Sequence, residues 1–215
     1  MYNGNERVRL TTYWAGAIEH VSSKEMKSWR DEMTEKLRSP DLLIYDPVAQ
    51  ESSKVGKPSG EQVEYIKGLK RAGRWTLFFH EMWKIWFGQI SENSDIIQLL
   101  TSLRMRKHID GNRPEDLKYW GDAEAVVRSD FIVIYMPKEV RTVGTIWEQV
   151  FSFLFRIPIY LILPDGNKTE ANSTLLFGDQ ISNSGDLKVF YSVGDCVKYI
   201  KETHKLEIIE PEKKE

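Results

Sequence analysis

The run Val143-Gly144-Thr145-Ile146-Trp147-Glu148 holds the most chemically suggestive spacing in the chain. A glycine at a strand-to-helix turn lets backbone approach a ligand closely. Glu148 follows in the first turns of a helix whose Val150, Phe151 and Leu154 are expected to face the core. An acid so placed is either a charge favouring the helix N-terminus or a functional carboxylate. Better-known catalytic sets are missing. No G-x-G-x-x-G follows the first strand, and there is no Walker motif and no G-x-S-x-G elbow. Dinucleotide dehydrogenase, P-loop nucleotidase and serine hydrolase readings therefore lose their main support. His20, His80, His108 and His204 form no spaced pair, so neither a metal nor a cofactor is expected.

These residues need elements to position them, and hydrophobic patterning supplies candidates. Val8 to Gly16 reads as a strand, and Lys24 to Leu37 as a helix capped by Ser23 with Met26, Trp29, Met33 and Leu37 on its apolar face. Leu42 to Tyr45, closed by Asp46-Pro47, has the length and flanks of a buried parallel strand. Gln50 to Gly60 is a polar loop. From Glu61 to about Arg106, aromatic and aliphatic residues recur at helical spacing, which predicts two or three helices where a minimal α/β unit needs one. A helix from Pro114 to Arg128, a strand at Phe131 to Met136, a helix from Val143 to Phe155 and a strand at Ile157 to Leu163 follow. A last strand, Leu187 to Ser192, and a last helix, Val193 to His204, complete the pattern.

This alternation predicts a Rossmann/flavodoxin-like, doubly wound α/β fold with a parallel sheet of about five strands. The whole chain, 1–215, reads as one domain with a helical insertion at about 51–113, between strands 2 and 3. Ligands of such sheets bind at the carboxyl ends of the strands, so Tyr13 to His20, Asp46, Pro137 to Gly144 and Pro164 to Thr174 should converge.

Composition narrows the function classes. With 41% hydrophobic against 29% charged residues, the chain can bury a core. The net charge of −2 supplies no field for a nucleic-acid backbone, so polymeric nucleic acid is not an expected partner. Cys196 is the lone cysteine, which suits a reducing compartment, and the cytoplasm is expected. Residues Met1 to Arg7 show no charged-then-apolar leader, and Arg156 interrupts the longest apolar stretch, so no membrane is expected either. Seven tryptophans, five of them between Trp29 and Trp120, suggest core or subunit-interface anchors before ligand platforms.

Taken in order, four short motifs resemble the nucleoside 2-deoxyribosyltransferase-like family. They are Thr12-Tyr13-Trp14-Ala15-Gly16; Gly121-Asp122 followed by Ser129-Asp130; Gly144-Thr145-Ile146-Trp147-Glu148; and Pro158 to Pro164. The resemblance covers roughly residues 8–48 and 114–204 and leaves the insertion without a counterpart. It implies an enzyme that breaks an N-glycosidic bond of a nucleoside or nucleotide, with Glu148 as nucleophile, Asp122 as proton donor to the leaving base and Tyr13 orienting Glu148. It also implies substrate-binding roles for Gly16, Asp46, Thr142, Gly144, Asn172 and Ser173, the last two reaching in from a neighbouring subunit.

Two positions pull in different directions. Thr142 stands six residues before the glutamate, where the transferases usually have a sugar-recognising aspartate. A hydroxyl there is similar to the branch that hydrolyses nucleoside 5′-monophosphates, and Arg141 beside it adds a positive partner for phosphate. Glu19, however, occupies a place where those hydrolases tend to have arginine. Transfer and hydrolysis both stay open, and so does a non-catalytic nucleotide-sensing domain that uses the insertion as a partner surface. Release of nicotinamide from a dinucleotide is a weaker third. A homo-oligomer, dimer or higher, is expected because a loop site at the edge of a small α/β domain leaves substrate exposed.

Overall fold

The computed structural model describes residues 9–16, 23–50, 59–137, 143–164, 166 and 173–209. Five strands, β1 (Leu10–Gly16), β2 (Leu42–Tyr45), β3 (Phe131–Tyr135), β4 (Ile159–Ile162) and β5 (Val189–Phe190), form one all-parallel sheet in the order β2-β1-β3-β4-β5. The helices are α1 (Ser23–Lys36), α2 (Ser59–Arg71), α3 (Trp75–Phe87), α4 (Ile96–Asp110), α5 (Asp122–Arg128), α6 (Val143–Leu154), α7 (Ser173–Ser182) and α8 (Val193–His204). The α/β class and the five parallel strands agree with the sequence pattern, and α2, α3 and α4 follow one another between β2 and β3.

Side-chain alternation divides the core into two. Trp14, Phe131, Val133, Tyr160 and Ile162 face α1, through Trp29 and Met33, with Leu37 just past its end, and α8, through Val193, Cys196, Val197 and Ile200. Their sequence neighbours Tyr13, Ala15, Ile132, Ile134, Ile159 and Leu161 face the other way. There they pack with Leu100 and Leu103 of α4, Ala123 to Val127 of α5 and Phe151 of α6. Because strand side chains alternate with period two, continuous apolar runs such as Phe131 to Tyr135 are what a sheet covered on both faces requires.

Three expectations are corrected. Pro114 to Arg128 is not one helix: a 3-10 turn at Pro114–Tyr119 gives way to extended backbone at Trp120 and Gly121 before α5 begins. The cause is a backbone-to-backbone contact with the end of α3. A Cβ on Gly121 would fall on Phe87 N, Trp86 O and Gly88 N, and one on Gly88, whose φ is +58°, would fall on Tyr119 O. The last strand shrinks to Val189–Phe190. On α6, only Phe151 of the three expected core residues is buried; Val150 and Leu154 point outward, because the buried face carries Thr145, Glu148, Gln149 and Ser152 instead.

Between α6 and α7, Gln149 Nε2 donates to Asp179 Oδ1, and both side chains are buried. Asp179 Oδ2 and Gln149 Oε1 have no further partner among the described residues. Burial pushes the Asp179 carboxyl from 3.8 up to about 7, only partly offset by the bond from Gln149. A folded-state pKa above the unfolded one means that folding takes up a proton, so stability is highest below the unfolded value and falls as pH rises towards 7. The full loss from this group is about 4 kcal/mol at 1.36 kcal/mol per unit. Asp179→Asn should flatten that fall: its urea midpoint should exceed that of the unsubstituted protein at about pH 8 and match it at about pH 4.5. Parallel pH profiles for the two proteins would contradict this account.

Candidate active site

The candidate site lies on the α4–α5–α6 side of the sheet, where β1 and β2 run side by side. Tyr13 is paired in register with Tyr45 on β2 and with Ile132 on β3, which places it at the reversal of strand order between β1 and β3. Its ring stacks on that of Tyr45, centroids 5.4 Å apart and 18° from parallel, and Tyr45 stacks in turn on Trp120 at 6.4 Å and 15°. Arg128 closes the pile, its guanidinium 5.0 Å from the Trp120 ring.

The polar ends of this aromatic pile meet the acids. Tyr13 OH donates to Glu148 Oε1 at 2.5 Å, and both residues are buried. Tyr45 OH donates to the Trp120 carbonyl at 2.9 Å and lies 3.4 Å from Asp122 Oδ1. Burial first, and then the charges of Asp122 and Glu148, hold the Tyr13 phenol well above the usual tyrosine range. Tyr13 therefore stays protonated and serves as a donor. Glu148 and Asp122, 26 positions apart in the chain, both act electrostatically on this one phenol, and each is nearly shielded from solvent, at 6% and 5% exposure. Glu148 lies beyond the first turn of α6, out of the place where a helix-terminal charge acts, so its burial favours the functional reading; Asp122 is buried too but opens α5, where such a charge belongs.

Local folding accounts for this placement. Glu148 is the sixth residue of α6, on the face shared with Thr145 and Ser152, whose hydroxyl donates to the Glu148 carbonyl at 3.0 Å. Asp122 opens α5 immediately after Gly121, so the Gly88–Gly121 contact fixes where its carboxyl begins. Trp86 packs on Phe151 of α6, with centroids 6.3 Å apart, so α3 braces both acid-bearing helices.

Other expected residues fare differently. Asp46 sits at the end of β2, but its Oδ1 accepts from Val48 N at 3.0 Å and pairs with Arg30 Nε at 3.1 Å. Arg30, itself buried, also donates to the Gly16 carbonyl at 3.2 Å. Burial raises the Asp46 carboxyl even so. Asp46 thus caps the turn after β2 and neutralises Arg30. Beside Gly16 the space is taken by Trp29, whose Cζ2 would lie 2.8 Å from an added Cβ. Gly144 lies within the first turn of α6, and a Cβ there would meet nothing within 4 Å. Thr142 and Asn172 lie outside the described residues, as does the side chain of Ser173, which begins α7. Among the described residues no group of three or more His, Cys, Asp or Glu is placed to hold a metal ion.

Sequence reading missed Tyr45 and Trp120. The signal was there: two β-strand tyrosines, at Tyr13 and at the end of β2, on neighbouring parallel strands. Ser129-Asp130, quoted with Asp122, does different work. Asp130 accepts from Thr11 N at 2.7 Å and from Lys107 Nζ, at the amino end of the sheet.

A scan against models of known protein families matches none of them, and no curated protein matches the chain.

Replacing Tyr13 by Phe removes a donor to a buried carboxylate, which should lower unfolding free energy by about 1.5–3 kcal/mol. A double-mutant cycle with Glu148→Ala, read by urea denaturation, should return a coupling of more than about 1 kcal/mol. Additive effects would show that the two side chains do not depend on each other.

Proposed function

We propose that the protein cleaves or transfers the N-glycosidic bond of a (deoxy)nucleoside or its 5′-monophosphate through a covalent glycosyl-glutamate. The observation that carries this reading is the buried Tyr13–Glu148 hydrogen bond, with Asp122 close enough to act on the same phenol. Cleavage of a C1′–N bond builds positive charge on the sugar, which a carboxylate under C1′ stabilises and captures. In the first step a Glu148 carboxylate oxygen bonds to C1′ as the bond to the base breaks. The electron pair leaves with the base, and the Asp122 carboxyl supplies the proton that neutralises it. In the second step water, or the N–H nitrogen of a second base, attacks C1′; the bond from C1′ to Glu148 breaks with its electron pair returning to the carboxylate, and Asp122, now deprotonated, takes up the proton of the attacking group. Tyr13 holds the carboxylate in place through Oε1.

On this reading Gly16, Asp46, Thr142, Gly144, Asn172 and Ser173 keep substrate-binding roles, Asp46 while it is paired with Arg30. The same reading places the protein in the cytoplasm; among the described residues no helix is long and apolar enough to cross a membrane. It also makes the protein a homo-oligomer, at least a dimer. Support comes from the outward face of α6, where Val143, Ile146, Trp147, Val150 and Leu154 form an uncharged stripe. Val143 is 71% and Trp147 54% exposed, an arrangement that suits an isologous contact.

Incubating the protein with nucleosides, 5′-monophosphates and dinucleotides while following free base tests the chemistry. Glu148→Ala should reduce base release by on the order of a thousandfold or more while the fold stays intact. Undiminished release would end the mechanism, and ligand-induced thermal stabilisation without any release would favour a nucleotide sensor. Light scattering at micromolar concentration should show a dimer or higher, and Trp147→Glu with Leu154→Glu should give monomer. A wild-type monomer would remove the oligomer from the proposal.

A further inference from the structure

The insertion has an outer end that the candidate site does not use. Helix α3 is anchored at its C-terminus, where Trp86 and Phe87 pack against the core and Gly88 meets Gly121. Its N-terminus, about 16 Å away along the axis at 1.5 Å per residue, joins α2 through the tight turn Ala72-Gly73-Arg74. Every residue from Lys70 to Leu77 in this hairpin is exposed. Trp75 is 51% and Phe79 63% exposed, and their rings form one cluster with Phe78, at 6.4 Å between Trp75 and Phe79 and 5.4 Å between Phe78 and Phe79. Leu77 is exposed beside them.

Charge at the tip is one-sided. From Tyr65 to His80 the chain carries Lys67, Lys70, Arg71 and Arg74 and no acid, although the whole protein is slightly negative. Among the described residues, the acids in ion pairs with this segment are Glu64, which contacts Lys67 and Arg71 at 3.2 and 3.4 Å, and Glu92, which contacts His80 at 3.1 Å. Lys70 and Arg74 flank the aromatic cluster without an acid in the run between them.

A convex tip of tryptophan, phenylalanine and leucine ringed by lysine and arginine suits a surface that is apolar within and anionic outside. We propose that the α2–α3 hairpin docks on the anionic face of a lipid bilayer, with Trp75, Leu77 and Phe79 entering the headgroup boundary and Lys70, Arg71 and Arg74 meeting lipid phosphates. The expectation of no membrane partner rests on the lack of a spanning segment, and an interfacial seat needs none. The proposal is independent of the glycosidic chemistry.

Co-sedimentation of the full chain with phosphatidylcholine vesicles, with and without phosphatidylserine, tests it. Binding is expected only to the phosphatidylserine vesicles, weakening as salt rises. Arg71→Glu with Arg74→Glu should lower the partition coefficient by about fivefold or more for each residue changed. Trp75→Ser with Phe79→Ser should abolish binding, while circular dichroism shows both proteins folded. The proposal is overturned if wild type sediments with neither vesicle, if the folded variants sediment like wild type, or if Trp75→Ser with Phe79→Ser instead dissociates an oligomer. Retarding a single-stranded oligonucleotide without binding vesicles would overturn it as well.

Discussion

A carboxylate withdrawn from water must be met by donors or it will not stay charged, and the core around the candidate site is arranged to meet that demand at Glu148. The Tyr13 phenol, fully buried in β1, is one such donor, and the strand holds it as no loop would. Its proton is secured above all by burial, so the group that positions the carboxylate does not itself titrate in the working range. Tyr45 repeats the logic one strand over, anchoring on the Trp120 carbonyl and approaching Asp122. Two acids are thus tied to two stacked tyrosines on adjacent strands. A rigid pair of rings sets the acids' positions more tightly than flexible side chains would.

The insertion is structurally part of this arrangement at one end and independent of it at the other. Its inner end contributes Trp86 to the packing of α6 and supplies the backbone against which Gly121 is pressed. Further along, Arg104 of α4 donates to the Val127 and Ser129 carbonyls, and Lys107 pairs with Asp130, so α4 clamps the segment joining α5 to β3. Removing these helices would loosen Asp122 from both sides.

The order of strands and helices was legible because apolar runs with period two and stripes with period 3.6 are direct records of burial. The flanks of β2 marked its boundaries for the same reason. What escaped was set by contacts distant in sequence. Nothing local says that Gly121 must break a helix, since the cause is Gly88, 33 residues earlier. Apolarity also says nothing about which of two faces an element buries. Val150 and Leu154 read as core, yet α6 spends its inner face on Thr145, Glu148, Gln149 and Ser152. The buried acids themselves were visible as residue types, but their burial emerged only from the packed chain. Asp46 shows the converse. Its position at the end of β2 was right, and its engagement with Arg30 and Val48 N could not be read from a one-dimensional pattern.

The two aspartates quoted together in the sequence, Asp122 and Asp130, show how one short helix serves two ends of a sheet. Helix α5 spans only Asp122 to Arg128, about two turns, and runs from the carboxyl side of the sheet to the amino side. At its start an acid is held beside aromatic rings, close to Tyr13. Just past its end, an acid accepts from the backbone of Thr11 and from Lys107, locking β1 and β3 in register. An acid bound this way is consumed by structure, because its oxygens are already shared between a backbone amide and a lysine. Asp122 instead stands 3.4 Å from the Tyr45 phenol and acts on the buried Tyr13 phenol. Identical residue types eight positions apart thus stand in different surroundings, and the difference lies in what each end of the sheet offers them.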